Sequence, residues 1–302
     1  MQLFTTLLWQ IALMFALAGI GVLLRRSGKL SAHATGDMGG LLLNVVLPVV
    51  IVRSFWIDYS DARAADIVLS LALSAGLLVL AMAIARLMQR RDAIAQFSVA
   101  FSNAGFIGIP LVQATLGADV VCYIAPLIAL LNALQWTYGQ RLLAPAGERM
   151  RPQEALGNPM VIALAVGCAA FFLRIPLPSF VDTLMSSTSA LNTPLAMLIL
   201  GCYLSESDLA SLRANKNLYL ATVERLVVVP VASALFLALV PGPEAIRLAL
   251  LIAAAAPTGT NVAIFAQKQG CDYRYANNLV CVTTLVSAIT LPALVAVAAP
   301  LL

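Results

Sequence analysis

The sequence has few charged residues, a single histidine and no long polar stretch. Charged residues make up 11% of the 302 residues and hydrophobic residues 61%, whereas soluble domains average about 25% and 45–50%. This composition excludes a soluble globular domain. The formal net charge of +4 then has meaning only for membrane orientation, and no nucleic-acid partner is expected.

Motifs of catalysis and of ATP hydrolysis are also missing. The chain contains no HExxH zinc motif, no GxSxG nucleophile motif and no P-loop, so neither an enzyme nor an ATP-driven pump is predicted. The five cysteines form no C-x-x-C pair, and cysteines in apolar runs pack as small apolar residues. We expect no cofactor and no metal site.

Long apolar runs fill nearly the whole chain. A membrane-spanning helix needs about 20 apolar residues, and we predict an all-α polytopic membrane protein in which the lipid bilayer is the main partner. Ten transmembrane helices are expected near residues 3–24, 36–56, 64–88, 93–115, 119–143, 157–173, 182–204, 216–240, 245–267 and 275–302.

The positive charges predict an orientation. Thirteen Lys and Arg residues lie in or beside alternate loops on one side, and only Arg63, Arg174 and Arg247 lie on the other. Because cytoplasmic loops carry the excess of Lys and Arg, we predict a multi-pass protein of the cell (inner) membrane with both termini outside the cytoplasm.

Two predicted spans contain residues that interrupt a helix. Proline removes a backbone donor and clashes with the preceding turn, and glycine weakens a helix. In lipid, freed backbone groups persist only where protein covers them or where they line a watery cavity, and paired interruptions mark the substrate site of many secondary transporters. The first interruption contains Ser102, Asn103, Ala104 and Gly105, and the second contains Pro257, Thr258, Gly259, Thr260 and Asn261.

The interruptions fall in the fourth and ninth spans, which is the same place in each half of the chain. Five spans per half is an odd number, so the second half would enter the membrane with inverted topology. We therefore predict two inverted five-helix repeats at residues 1–145 and 157–302, joined by a cytoplasmic linker at 146–156.

Three runs are similar to the auxin efflux carrier family: LLLNVVLPVVIVRSF at 41–55, SNAGFIGIPL at 102–111 and APTGTNVAIFAQKQG at 256–270. The resemblance covers essentially the whole chain. This family includes bacterial permeases for malonate and malate and the plant PIN auxin carriers. It implies a fold like that of bile-acid symporters and sodium/proton antiporters, with broken helices 4 and 9 crossing where each unwinds.

The crossing point departs from the family pattern at one position. In the plant carriers a proline marks the crossing in both helices. Pro257 matches the second proline, whereas Ser102 stands in place of the first, and Asn103 matches the asparagine that follows it.

The helix ends at the interruptions predict an anion site. Free N–H groups at helix N-termini carry about half a positive charge and bind anions without a basic side chain. No Lys or Arg lies near either interruption in the sequence, so Asn103, Thr258, Thr260 and Asn261 would supply the remaining polar contacts. The alternative is that these groups only satisfy the unwound backbone.

Other polar residues inside the spans have two interpretations each. Asn132 and Gln135 lie one turn apart in the fifth span, and the resemblance implies that Asn132 lines the substrate pocket. An interhelical hydrogen bond is the alternative for Asn132, and the same choice holds for Asn44 and Asn192.

Glu224 and Arg225 are charged residues inside the eighth span. Intramembrane charges indicate function by default, and Glu224 could bind a proton or a cation while Arg225 could reach a carbonyl or another helix. The alternative is that both side chains snorkel toward the cytoplasmic interface.

Together these observations predict a secondary transporter that moves a small organic anion by alternating access. The candidate substrates are mono- or dicarboxylates such as malonate or malate, or an auxin-like indole acid. A sodium-coupled symporter and a non-transporting membrane sensor are the alternatives, and homodimer formation and proton or sodium coupling stay open.

Overall fold

The computed structural model describes residues 2–144, 156–206 and 215–302. This part of the chain is helical, without strands apart from one isolated bridge. The helices are α1 (Gln2–Arg26), α2 (Ala32–Ser54), α3 (Asp61–Met88), α4 (Ala93–Ala100), α5 (Ala104–Leu116), α6 (Ala118–Leu143), α7 (Pro159–Phe172), α8 (Ser179–Ser205), α9 (Lys216–Ala238), α10 (Glu244–Ala255), α11 (Asn261–Lys268) and α12 (Tyr273–Leu301).

Seven of these helices are long and apolar enough to cross a membrane, namely α1, α2, α3, α6, α8, α9 and α12. The other three predicted spans are shorter or divided. Helix α7 has 14 residues, and the spans near 93–115 and 245–267 each consist of two short helices, α4 with α5 and α10 with α11. Ten crossing helices in two inverted repeats therefore remain a prediction. The predicted linker at 146–156 lies outside the described residues except for its last position.

Side chains in the loops determine where several helices begin. Ser60, Asp92, Asn158 and Asp272 each accept a hydrogen bond from a first-turn N–H group, at the start of α3, α4, α7 and α12 respectively. Such caps satisfy donors that a helix leaves unpaired at its N-terminus. The two helices that begin at the interruptions, α5 and α11, have no side-chain cap.

Helices α1 and α8 pack with their backbones in direct contact. A Cβ atom added at Gly21 would lie 2.3 Å from the carbonyl oxygen of Leu198, and one at Gly201 would lie 2.0 Å from that of Ala18. Small residues allow this close approach, which is common between transmembrane helices. The two glycines therefore allow α1 and α8 to pack closely, and the pair forms one unit.

The interrupted helices lie at the centre of the molecule. Ile94 to Ala100 in α4 and Leu248 to Ala255 in α10 are all buried. Apolar side chains on the outer helices are exposed instead, among them Trp9 in α1, Val79 in α3 and Leu239 after α9. An apolar exterior around a buried, interrupted core is what a lipid environment requires.

Candidate functional site

The two interruptions lie against each other and pair through their backbones. The N–H group of Asn103 donates to the carbonyl oxygen of Pro257 at 2.7 Å, and the N–H group of Gly259 donates to that of Phe101 at 3.0 Å. This two-bond pattern is an antiparallel bridge between the segments. Backbone groups freed by the interruptions thus satisfy one another in part.

Thr258 has a structural part in this pairing. Its side chain is fully buried and lies opposite Ser102 in the bridge. The Thr258 hydroxyl donates to the carbonyl oxygen of Ser98 at 3.0 Å, and its N–H group donates to the hydroxyl of Thr283 at 3.2 Å. For Thr258, the contacts favour the interpretation that its polar groups satisfy unwound backbone.

Beside the pairing lies a small cavity between α2, α6 and the two interruptions. Its volume is about 30 Å³, which gives room for about two water molecules. Six of the predicted site residues contribute polar groups to its lining: Ser102, Asn103, Asn132, Gln135, Thr260 and Asn261. The apolar part of the lining includes Leu43 and Leu47 of α2.

A hydrogen bond connects two sides of this cavity. The side-chain amide nitrogen of Asn261 donates to the side-chain oxygen Oε1 of Gln135 at 2.7 Å, which links the first residue of α11 to α6. Gly259 permits this contact, because a Cβ atom there would lie 3.3 Å from the Gln135 amide nitrogen and 3.2 Å from the Ser102 carbonyl oxygen. A methyl group at this position would therefore require its neighbours to move by a few tenths of an ångström.

Asn103 is the least satisfied residue of the cavity. It is 4% exposed, and its amide nitrogen has no hydrogen-bond partner among the described residues. An unpaired buried donor costs about 1–3 kcal/mol. A ligand with an acceptor oxygen would remove this cost.

The N-termini of α5 and α11 contribute to the electrostatics of the cavity. Asn103 and Thr260 are their N-cap residues, neither makes a side-chain capping bond, and both line the cavity. Each helix N-terminus carries about half a positive charge. The cavity lining includes no charged side chain, and the two helix ends contribute a positive potential to it.

The remaining predicted asparagines differ in position. Asn132 lines the cavity and donates to the Ile128 carbonyl oxygen of its own helix at 2.8 Å. Asn44 is on an exposed face of α2 and donates to Gly40 at 2.8 Å, so the structure does not bring it to the cavity. Asn192 is buried with both amide atoms unpaired in the described part of the chain, and it is not among the cavity residues.

Arg225 lies at the interruptions, contrary to the expectation that no Lys or Arg does. Its guanidinium donates to the carbonyl oxygens of Val99 at 3.0 Å and Ala256 at 2.9 and 3.1 Å, and also to that of Ala254. The side chain is 1% exposed, so the snorkelling alternative is wrong for this residue. The sequence alone does not reveal these contacts, because Ala256 is 31 positions and Val99 is 126 positions away from Arg225.

Glu224 has a separate partner. One carboxylate oxygen accepts a hydrogen bond from the Gln89 side chain at 2.8 Å, and the other is buried without a partner in the described residues. Gln89 follows the last turn of α3. Glu224 therefore turns away from Arg225, as adjacent residues about 100° apart on a helix can.

Four π-helical segments surround these groups, and three of them carry a sequence signal. Such segments are frequent at functional sites. In α2, α5 and α9 a proline follows the last π-helical residue by two positions, and its missing N–H group prevents regular pairing. The segments are Leu42–Val46 before Pro48, Ala104–Gly108 before Pro110, Glu224–Val228 before Pro230, and Gln135–Gly139.

The sequence is similar to known membrane transport proteins. The family described as "Membrane transport protein" matches residues 6–157 and 150–295. A protein of Rhizobium meliloti (strain 1021) named "Putative malonate transporter" is 28% identical, over 69% of this chain and 69% of its own length.

The family match includes all three runs that resemble the auxin efflux carriers, and it confirms that resemblance. The chain is a multi-pass membrane protein with transport as its role, and it is not an enzyme. It belongs to the membrane transport protein family of auxin efflux carriers.

Proposed function

We propose that the protein is a secondary transporter of a small organic anion, which binds where the two interrupted helices meet. The observation that carries this proposal is the unpaired, buried amide nitrogen of Asn103 beside two uncapped helix N-termini. All three features favour an acceptor oxygen with negative charge. A carboxylate has both properties.

The charges around the cavity favour an anion over a cation. Two helix N-termini together supply about one positive charge, and the lining contains no carboxylate that would attract a cation. A hydrogen bond to a charged group is worth about 1.5–3 kcal/mol. One carboxylate held by Asn103 and by the free N–H groups of the two helix ends would then match the site.

Transport requires the cavity to enlarge, because its volume of about 30 Å³ is smaller than a dicarboxylate. We infer that the core of α4, α5, α10 and α11 moves relative to the unit formed by α1 and α8. The buried position of the core and the direct backbone contact within that unit support two bodies of this kind. Alternating access between the two membrane faces would follow from such a movement.

The uneven distribution of Lys and Arg predicts the orientation of the termini. A reporter that is active only outside the cytoplasm, fused after Leu302, should be active, and the same reporter inserted at Lys29 should be silent. Measuring reporter activity at matched expression checks this. The reverse pattern would overturn the orientation, and equal reporter activity at the two positions would overturn the number of crossings.

The substrate test uses purified protein in liposomes. The name of the Rhizobium meliloti relative makes malonate the first candidate, followed by malate and indole-3-acetate. We expect saturable uptake of one of these acids, with Asn103→Ala binding about tenfold to a hundredfold more weakly. The matched control is Asn44→Ala, since Asn44 is an exposed amide that donates only to its own helix.

Two other outcomes would replace the proposal. Uptake that stops when choline replaces sodium would identify a sodium-coupled symporter. Binding of an acid without accumulation in any liposome would identify a membrane sensor.

A further inference from the structure

Arg225 contacts the C-terminal ends of both helices that stop at the interruptions. Val99 is in the last turn of α4, Ala254 is in the last turn of α10, and Ala256 is the residue that follows α10. Carbonyl groups at the end of a helix have no N–H partner further along it. The guanidinium satisfies three of them with four hydrogen bonds.

The charge of Arg225 is balanced by these helix ends. The ion pairs of the described residues are Arg25 with Glu206, His33 with Asp37 and Arg53 with Asp182, so none involves Arg225. A helix C-terminus carries about half a negative charge, and two of them together match one guanidinium. An arginine that is 1% exposed requires such compensation, since an uncompensated buried charge is strongly destabilising.

Carbonyl oxygens at half-helix C-terminal ends are the ligands that hold the coupling cation in many secondary transporters. Here a side chain fills that position. We propose that Arg225 is a permanent cation built into the crossing of the two interrupted helices, that it replaces a free coupling cation such as sodium, and that it positions the anion site on the opposite side of the crossing.

The link to the anion is electrostatic and geometric. Two positive helix N-termini border the cavity, and the two negative C-terminal ends lie on the same backbone crossing. With Arg225 in place, the negative ends are neutralised and the positive potential at the cavity persists. Arg225 also joins α4 to α10, and so it fixes the separation of Asn103 and Thr260. It is thus a positioning residue for anion binding.

The test removes the Arg225 side chain and then supplies free guanidinium in its place. Arg225→Ala in choline chloride should bind malonate at least about tenfold more weakly than the original protein. Millimolar guanidinium should restore the affinity to within about threefold and should raise the melting temperature of the variant in a saturable way. Urea, a neutral molecule of the same shape, should do neither, and Arg26→Ala, which removes an exposed arginine, should not respond to guanidinium.

Three results would overturn the inference. The first is full malonate affinity in Arg225→Ala without guanidinium, and the second is an equal response to urea and guanidinium. The third is uptake by the original protein that requires sodium.

If Arg225→Ala does not fold, Arg225→Lys and Arg225→Met test the inference instead, because the two side chains are similar in length and differ in charge. Arg225→Lys should bind malonate at least about fivefold more tightly than Arg225→Met. Equal affinities of the two variants for malonate would contradict the role of charge.

The inference rests on the proposed anion site, yet the two can fail separately. The rise in melting temperature with guanidinium requires no anion. If the original protein binds no carboxylate while Arg225→Ala still responds to guanidinium, the proposed substrate is wrong and the built-in cation stands.

Discussion

The two sides of the helix crossing differ in how fully their polar groups are paired. On the side of the helix C-terminal ends, Arg225 donates to three carbonyl oxygens and Thr258 uses both its hydroxyl and its N–H group. On the side of the N-termini, the amide nitrogen of Asn103 has no partner in the described part of the chain, and neither helix has a side-chain cap. A fully paired region needs no ligand to be stable, whereas an unpaired one gains free energy when a ligand binds. The comparison favours a structural part for the first side and supports the proposal that substrate is recognised at the second.

The largest effect is expected where a negative charge is placed on the unpaired side. Asn103→Asp would put a carboxylate against the bound anion, and like charges about 4 Å apart repel by about 4 kcal/mol at an effective dielectric constant of about 20. Affinity for malonate should fall about a thousandfold, compared with the tenfold to hundredfold loss in Asn103→Ala. Dissociation constants measured on the folded fraction check the order of the three proteins. Equal affinities, or a loss of melting temperature with affinity intact, would make Asn103 an interhelical contact only.

A smaller loss of transport is expected when a methyl group is added at Gly259, which lies between the two sides of the crossing. In Gly259→Ala the new Cβ atom would lie 3.2 Å from the Ser102 carbonyl oxygen and 3.3 Å from the Gln135 amide nitrogen. Overpacking typically costs about 1–3 kcal/mol, and we expect about a tenfold loss of uptake rate. The matched control is Gly19→Ala in α1, whose Cβ atom would meet no atom within 4 Å. Similar rates in the two variants would show that the close approach at Gly259 has no effect on transport.

The smallest effect on binding is expected on the paired side. Thr258→Val keeps the shape of the side chain but removes the hydroxyl that donates to Ser98. Stability should fall by about 1–2 kcal/mol, while affinity for malonate should change less than about twofold because the hydroxyl is already engaged. Melting curves and binding isotherms of the same preparation separate the two quantities. A large loss of affinity at unchanged stability would move Thr258 into the substrate site and end the distinction between the sides.

The sequence predicted the residues of the unpaired side better than those of the paired side. Pro257 and Gly259 cannot continue a helix, and the polar residues beside them in the chain also lie beside them in space. Arg225 could be recognised as unusual because it is charged inside an apolar span. Its partners could not be found, since contacts across 31 and 126 positions follow no helical period. Asn44 was placed with Asn192 as a candidate because the apolar residues around it do not distinguish an exposed face from a buried one.

The number of spans was harder to predict than their positions. The predicted span near 157–173 is already shorter than the roughly 20 residues that a crossing needs, and the helix that it forms has 14 residues. The proline that follows each of three π-helical segments was present in the sequence, at Pro48, Pro110 and Pro230, but a lone proline also occurs in regular transmembrane helices. Its two-residue offset from a π-helical segment became recognisable only with the backbone in hand.

The small size of the cavity has a consequence for the energy supply of the cell. A membrane that stores a proton gradient loses it through any continuous file of water, because protons pass along hydrogen-bonded water. About two water molecules fit in the cavity of about 30 Å³, and they cannot form a file across a hydrocarbon layer about 30 Å thick. Through this cavity alone, protons therefore have no continuous file of water across the hydrocarbon layer.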